Sequence, residues 1–72
     1  MTVDDGLYLI RLELERATKK HGPFVSARHG HSAIEEEYDE FWDAIKADDI
    51  EHAKVEAIQT AAMCLRFLMD IK

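Results

Sequence analysis

Residues 32–42, SAIEEEYDEFW, decide how this chain reads. Ser32 followed three residues later by Glu35 has the form of a capping box, in which each side chain satisfies a backbone N–H that the first helical turn leaves unpaired, so a helix is expected to begin here. At 100° per residue, Ile34, Tyr38, Phe41, Trp42 and Ile45 fall within an arc of about 100°, the width of a core-facing stripe. That stripe is expected to be buried. Glu37, Glu40, Ala33 and Ala44 lie beyond one edge of it, so two carboxylates one turn apart are flanked by methyl-sized side chains and leave room for a ligand. Glu35, Glu36, Asp39 and Asp43 continue the acidic surface round the back, where water solvates them.

Working outward, a chain of 72 residues with 47% hydrophobic and 33% charged residues has too much apolar content for disorder and room for one domain, 1–72. Three glycines and one proline leave long uninterrupted periodic segments, and the expected fold is all-α: a three-helix chain forming a helical bundle. A core this small needs reinforcement, and the single cysteine, Cys64, rules out an internal disulfide. Oligomerisation, as a homodimer or higher homo-oligomer, is the expected remedy. The net charge of −6 argues against a nucleic acid polymer held through its phosphates. No run of 18 apolar residues is present, and MTVDDGLYL lacks the features of a signal peptide, so no membrane partner and a cytoplasmic location are expected.

The first helix is expected from Val3 to Lys20, with Val3, Leu7, Ile10, Leu14 and Ala17 on one face, Gly22 closing it in the left-handed conformation and Pro23 preventing continuation. Residues 22–31 then form a connector in which Phe24 and Val25 plug the core. The second helix runs to about Ala47, and Asp48 or Asp49 caps a third that meets no breaker before Lys72. On that third helix Ala53, Ala57, Ile58, Ala61, Ala62, Cys64, Leu65, Leu68 and Met69 cover about half the circumference, which asks for at least two neighbours. Cys64 is expected in the core. The other face carries Glu56, Gln59, Thr60, Met63, Arg66, Phe67 and Asp70. Met63 and Phe67 there either wall a base-binding pocket or pack against another subunit.

Glu56 and Gln59 are again one turn apart. Two antiparallel helices each offering two oxygens at that spacing direct four of them at one point, a geometry suited to Mg²⁺ with its hard oxygen ligands and its preference for phosphate-bearing substrates. A charge run such as EEEYDE is also what a solvated helix face looks like, and His29-x-His31, with His52, has too little zinc-site character to outweigh loop and capping roles.

Glu36-Glu37-x-x-Glu40, a short interval and Glu56-x-x-Gln59 together resemble the EExxE…ExxD arrangement of the MazG-like, all-alpha nucleoside triphosphate pyrophosphohydrolases. The resemblance runs from Gly22-Pro23-Phe24 through EEYDEFW to EAIQTAAMCLRFL, about two thirds of the chain, and is greatest to the short members of phages and bacteria. It implies a Mg²⁺-dependent hydrolase, with Mn²⁺ as a substitute, that cleaves a nucleoside triphosphate to the monophosphate and pyrophosphate. Glu37, Glu40 and Glu56 would hold the metal, with Glu36 a further candidate ligand and Glu37 and Glu40 the catalytic carboxylates. Gln59 stands where the family pattern has Asp and brings an oxygen without a charge. The alternative is a catalytically inactive helical oligomerisation or binding module of the same ancestry. Arg28, Lys19, Lys20 and Arg66 are all available to neutralise phosphate oxygens, and the sequence does not choose among them.

Overall fold

The computed structural model describes all residues from Met1 to Lys72 and contains three helices and no strand: α1 (Val3–Lys20), α2 (Ala27–Lys46) and α3 (Ile50–Asp70). The expected all-α architecture is present. α3 packs against both other helices, whereas α1 and α2 do not approach each other. α3 is thus the element the other two share, and a small core of Ala17, Phe24, Ala62 and Met63 is flanked by Ile10, Leu14, Ile34 and Phe67.

Several boundaries differ from the sequence expectation, each for a local reason. Thr2 caps α1 through a reciprocal pair with Asp5, a capping box in which Asp replaces the usual Glu. Its end is not closed by a left-handed Gly22. No glycine has positive φ, and the chain leaves α1 at His21 in extended conformation, with the His21 N–H still bonded to the Ala17 carbonyl. α2 starts six residues before Ser32: Ser26 accepts from the His29 N–H, and His29 Nδ1 in turn accepts from the Val25 N–H. The Ser26/His29 pair outcompetes the Ser32/Glu35 box because a start at Ser26 adds helix that places Gly30 against α3. A Cβ at Gly30 would lie 2.7 Å from the Phe67 ring and 3.1 Å from Phe24, so this close approach requires glycine.

The α2–α3 turn is well defined. Asp48 takes φ 57°, its N–H bonds to the Ile45 carbonyl, and the Asp49 N–H bonds back to Ala44. That is a Schellman closure with Asp in the position glycine usually fills. Asp49 then caps α3 by accepting from the His52 N–H.

The buried faces are also turned relative to expectation. On α2 the seam facing α3 runs along Gly30, Ala33, Glu37 and Ala44, roughly a quarter turn from the aromatic stripe; Tyr38, Trp42 and Ile45 are exposed. Small side chains let the two helices close together, which the bulky stripe would prevent. On α3 part of the expected arc is buried, with Ala53 and Ala62 enclosed and Ile58 and Ala61 half-buried, but Glu56, Met63 and Arg66 of the face assigned as polar are enclosed too, while Cys64, Leu65, Leu68 and Met69 are exposed. Met63, Phe67 and the aliphatic stem of Arg66 supply the apolar contact there. Of the two residues expected to plug the core, Phe24 does so and Val25 is exposed. No helix is long and apolar enough to cross a membrane.

Candidate metal centre

Glu37 and Glu40 lie one turn apart on α2, and Glu56 faces them from α3. The close α2–α3 seam brings a carboxylate oxygen from each of the three to within 4.8 Å of one another. Glu56 is 4% exposed, Glu37 is half-buried and Glu40 is open to solvent, so the cluster has a closed floor and an accessible mouth. Glu35 and Asp39 are exposed on the far side of α2; Glu36 is exposed beside Glu37 but stands outside the converging set. His29, His31 and His52 do not come together.

Gln59 sits between the two helices. With its amide nitrogen turned to the carboxylates it donates to Glu37 Oε2 and Glu56 Oε2, both at 3.0 Å. Turned over, the same amide offers its oxygen to the same space. The fourth position of the motif is thus in contact with the cluster, as a bridging donor in one orientation and a neutral ligand in the other.

Burial and crowding of negative charge together set the electrostatics. The Glu37 carboxyl is pushed up to about 7, first by burial, then by its hydrogen bond with Glu56 and by the charges of Glu40, Glu56 and Glu36. Glu56 is raised as well, chiefly by burial and by the nearby charge of Glu40. Two neighbours from outside the motif bear on the cluster. His52 Nε2 stands 3.4 Å from Glu56 Oε1, and Glu13 of α1, paired with Arg16 at 2.5 Å, adds its charge to the field at Glu56. His52 was legible in principle, being four residues before Glu56 on one helix. Glu13 carried no such signal, because its position depends on how α1 packs.

The donor set fits a hard divalent cation. Three carboxylate oxygens converge with an amide in reach, no lysine or arginine forms an ion pair with any of the three, and burial together with neighbouring negative charge raises the Glu37 carboxyl. Glu37, Glu40, Glu56 and Gln59 are the residues that would hold it. Compared with known proteins, the chain matches no family model, no curated sequence and no solved structure.

Proposed function

We propose that this chain is a Mg²⁺-dependent nucleoside triphosphate pyrophosphohydrolase of the MazG-like type, with Mn²⁺ able to substitute. The observation that carries the reading is the convergence of Glu37, Glu40 and Glu56 from two helices on one point open to solvent. Bound there, the cation supplies positive charge to phosphate oxygens and lowers the pKa of water for attack on phosphorus. Glu56 and Glu37 anchor it from the closed side of the seam. Glu40, at the open mouth, is the carboxylate best placed to orient the attacking water and accept its proton. Gln59 would complete the set through its oxygen and would leave the site one charge short of the family pattern, so the metal would be held more weakly.

The active form in this reading is a homodimer or higher homo-oligomer. Only 9 of 72 residues are buried, and Tyr38 and Trp42 on α2 and Leu65, Leu68 and Met69 on α3 are apolar surface that a soluble monomer rarely leaves open. A second subunit would cover part of this surface and extend the walls of the nucleotide site.

A second reading has its own support. The Gln59 amide, donating to both Glu37 and Glu56, relieves part of the repulsion that a cation would otherwise relieve, which suits a helical binding or oligomerisation module without catalysis. Incubation with a panel of ordinary and modified nucleoside triphosphates, with Mg²⁺ or Mn²⁺, separates the two. Release of pyrophosphate that is lost in Glu40→Gln supports the hydrolase; no release from any triphosphate leaves the inactive module.

A further inference from the structure

A cleft of about 600 Å³ lies between the connector that follows α1 and the carboxylate face of α2, within the size range of small-molecule sites. Glu36 and Glu37 of α2, Lys20 and His21 at the end of α1, Phe24 of the connector and Arg66 of α3 all line it. Arg66 is the unusual member. It is 5% exposed, yet it takes part in none of the protein's ion pairs. Its Nη2 donates to the Gly22 carbonyl at 2.6 Å and its Nη1 to the Met63 sulfur at 3.4 Å, while the guanidinium carbon sits 4.3 Å from the centre of the Phe24 ring. Asp70, one turn further along α3, directs Oδ2 to the Phe24 N–H at 2.9 Å rather than to Arg66.

A guanidinium does not lose its proton in a protein, and burying one without an anion is unfavourable. Tying α3 to the Gly22 carbonyl requires one donor and no charge, so the structural contacts account for only part of this side chain. Its Nε–H has no protein partner, and Arg66 borders both this cleft and a smaller depression beside Asp70. Lys20 and His21 are exposed at the rim. Of the four cations available from the sequence, Lys20 and Arg66 border this cleft, whereas Arg28 borders a separate depression with His31 and Phe67.

We propose that Arg66, with Lys20 at the rim, is the anion-binding group of this cleft and that its ligand is a phosphate chain held at the guanidinium end. Planar, bidentate recognition of phosphate oxygens is what arginine provides over lysine. That the chain belongs to a nucleotide rests on the hydrolase reading; the anion site itself does not.

The test uses inorganic pyrophosphate and the full chain in EDTA, with the arginine side chains observed by ¹⁵N NMR and sodium chloride at matched ionic strength as control. The Arg66 Nε–H signal is expected to shift saturably with a dissociation constant below about 1 mM. Arg66→Lys should weaken binding at least about fivefold, because the charge remains and the planar fork does not. Lys20→Ala, at an exposed position, should weaken it about twofold. An Arg66 signal that does not respond to pyrophosphate, or responds equally to chloride, overturns the proposal, and this observation on the unaltered protein decides even if Arg66→Lys folds poorly. Because no divalent cation or hydrolysis enters the measurement, a chain that binds pyrophosphate here but cleaves no triphosphate would refute the hydrolase reading alone.

Discussion

Replacing Glu37 with glutamine removes one negative charge from the cluster while keeping the side chain's shape, and its effect on stability should depend on pH in a defined direction. The Glu37 carboxyl is held at about 7, against an ordinary 4.5, so between these values the folded protein binds a proton that the unfolded chain has released. The stability that this group contributes is therefore fully present below pH 4.5 and is lost as pH rises towards 7. The full interval corresponds to about 3 kcal/mol, and because Glu37 is only half-buried, solvent screening reduces the expected loss to about 1–2 kcal/mol. Glu37→Gln has no such proton to lose. Its stability should match the native protein near pH 4.5 and exceed it by about 1–2 kcal/mol at pH 7.5. Urea unfolding followed by circular dichroism, in EDTA, from pH 4.5 to 8 measures the difference directly. Saturating Mg²⁺ should then raise the native protein's stability at pH 7.5, by about 2.7 kcal/mol at a hundred times the dissociation constant, and raise the variant's far less. A difference between the two proteins that does not change with pH would refute the crowding of Glu37 by Glu40 and Glu56.

Gln59→Asp replaces a donor to two carboxylates with another anion; at about 4 Å and an effective dielectric of 20 each new repulsion is worth at most about 4 kcal/mol, so metal-free stability should fall and Mg²⁺ affinity should rise, both readable by thermal melts with and without the ion. Asp48→Gly relieves a left-handed conformation that costs a side-chain-bearing residue about 1 kcal/mol and should raise the urea midpoint accordingly. Gly30→Ala places a methyl group against the Phe67 ring and should cost about 1–3 kcal/mol in the same assay. Light scattering at micromolar concentration should give a multiple of 8.3 kDa; a mass of one chain would remove the oligomer and the shared nucleotide site with it.

The helices themselves were legible because breakers and caps are local. Lys19, Lys20 and Pro23 announce the end of α1, and Asp49 the start of α3, from side chains that act within one turn. The orientation of each helix was not, because hydrophobicity ranks residues by side chain while packing here is decided by fit. Gly30, Ala33 and Ala44 make the α2 seam by being small, which no apolar stripe records, and of the stripe Ile34 and Phe41 stay half-buried while Tyr38, Trp42 and Ile45 face outward. The carboxylate cluster was nonetheless legible, since Glu37 and Glu40 adjoin those same small residues and the i,i+3 spacing of Glu56 and Gln59 survives any rotation of α3. Glu13 and the enclosure of Arg66 depend on contacts between elements distant in the chain, and only the folded structure brings them into view.

The most direct measurement is a calorimetric titration of Mg²⁺, and of Mn²⁺, into the native protein and into Glu56→Gln at pH 6 and pH 8. One ion should bind per chain, more tightly at pH 8, with release of close to one proton at pH 6, where Glu37 still holds one, and with affinity lowered at least about tenfold in Glu56→Gln. Heats that are indistinguishable between the two proteins, or an affinity that does not change with pH, would mean that Glu37, Glu40 and Glu56 converge without forming a metal centre.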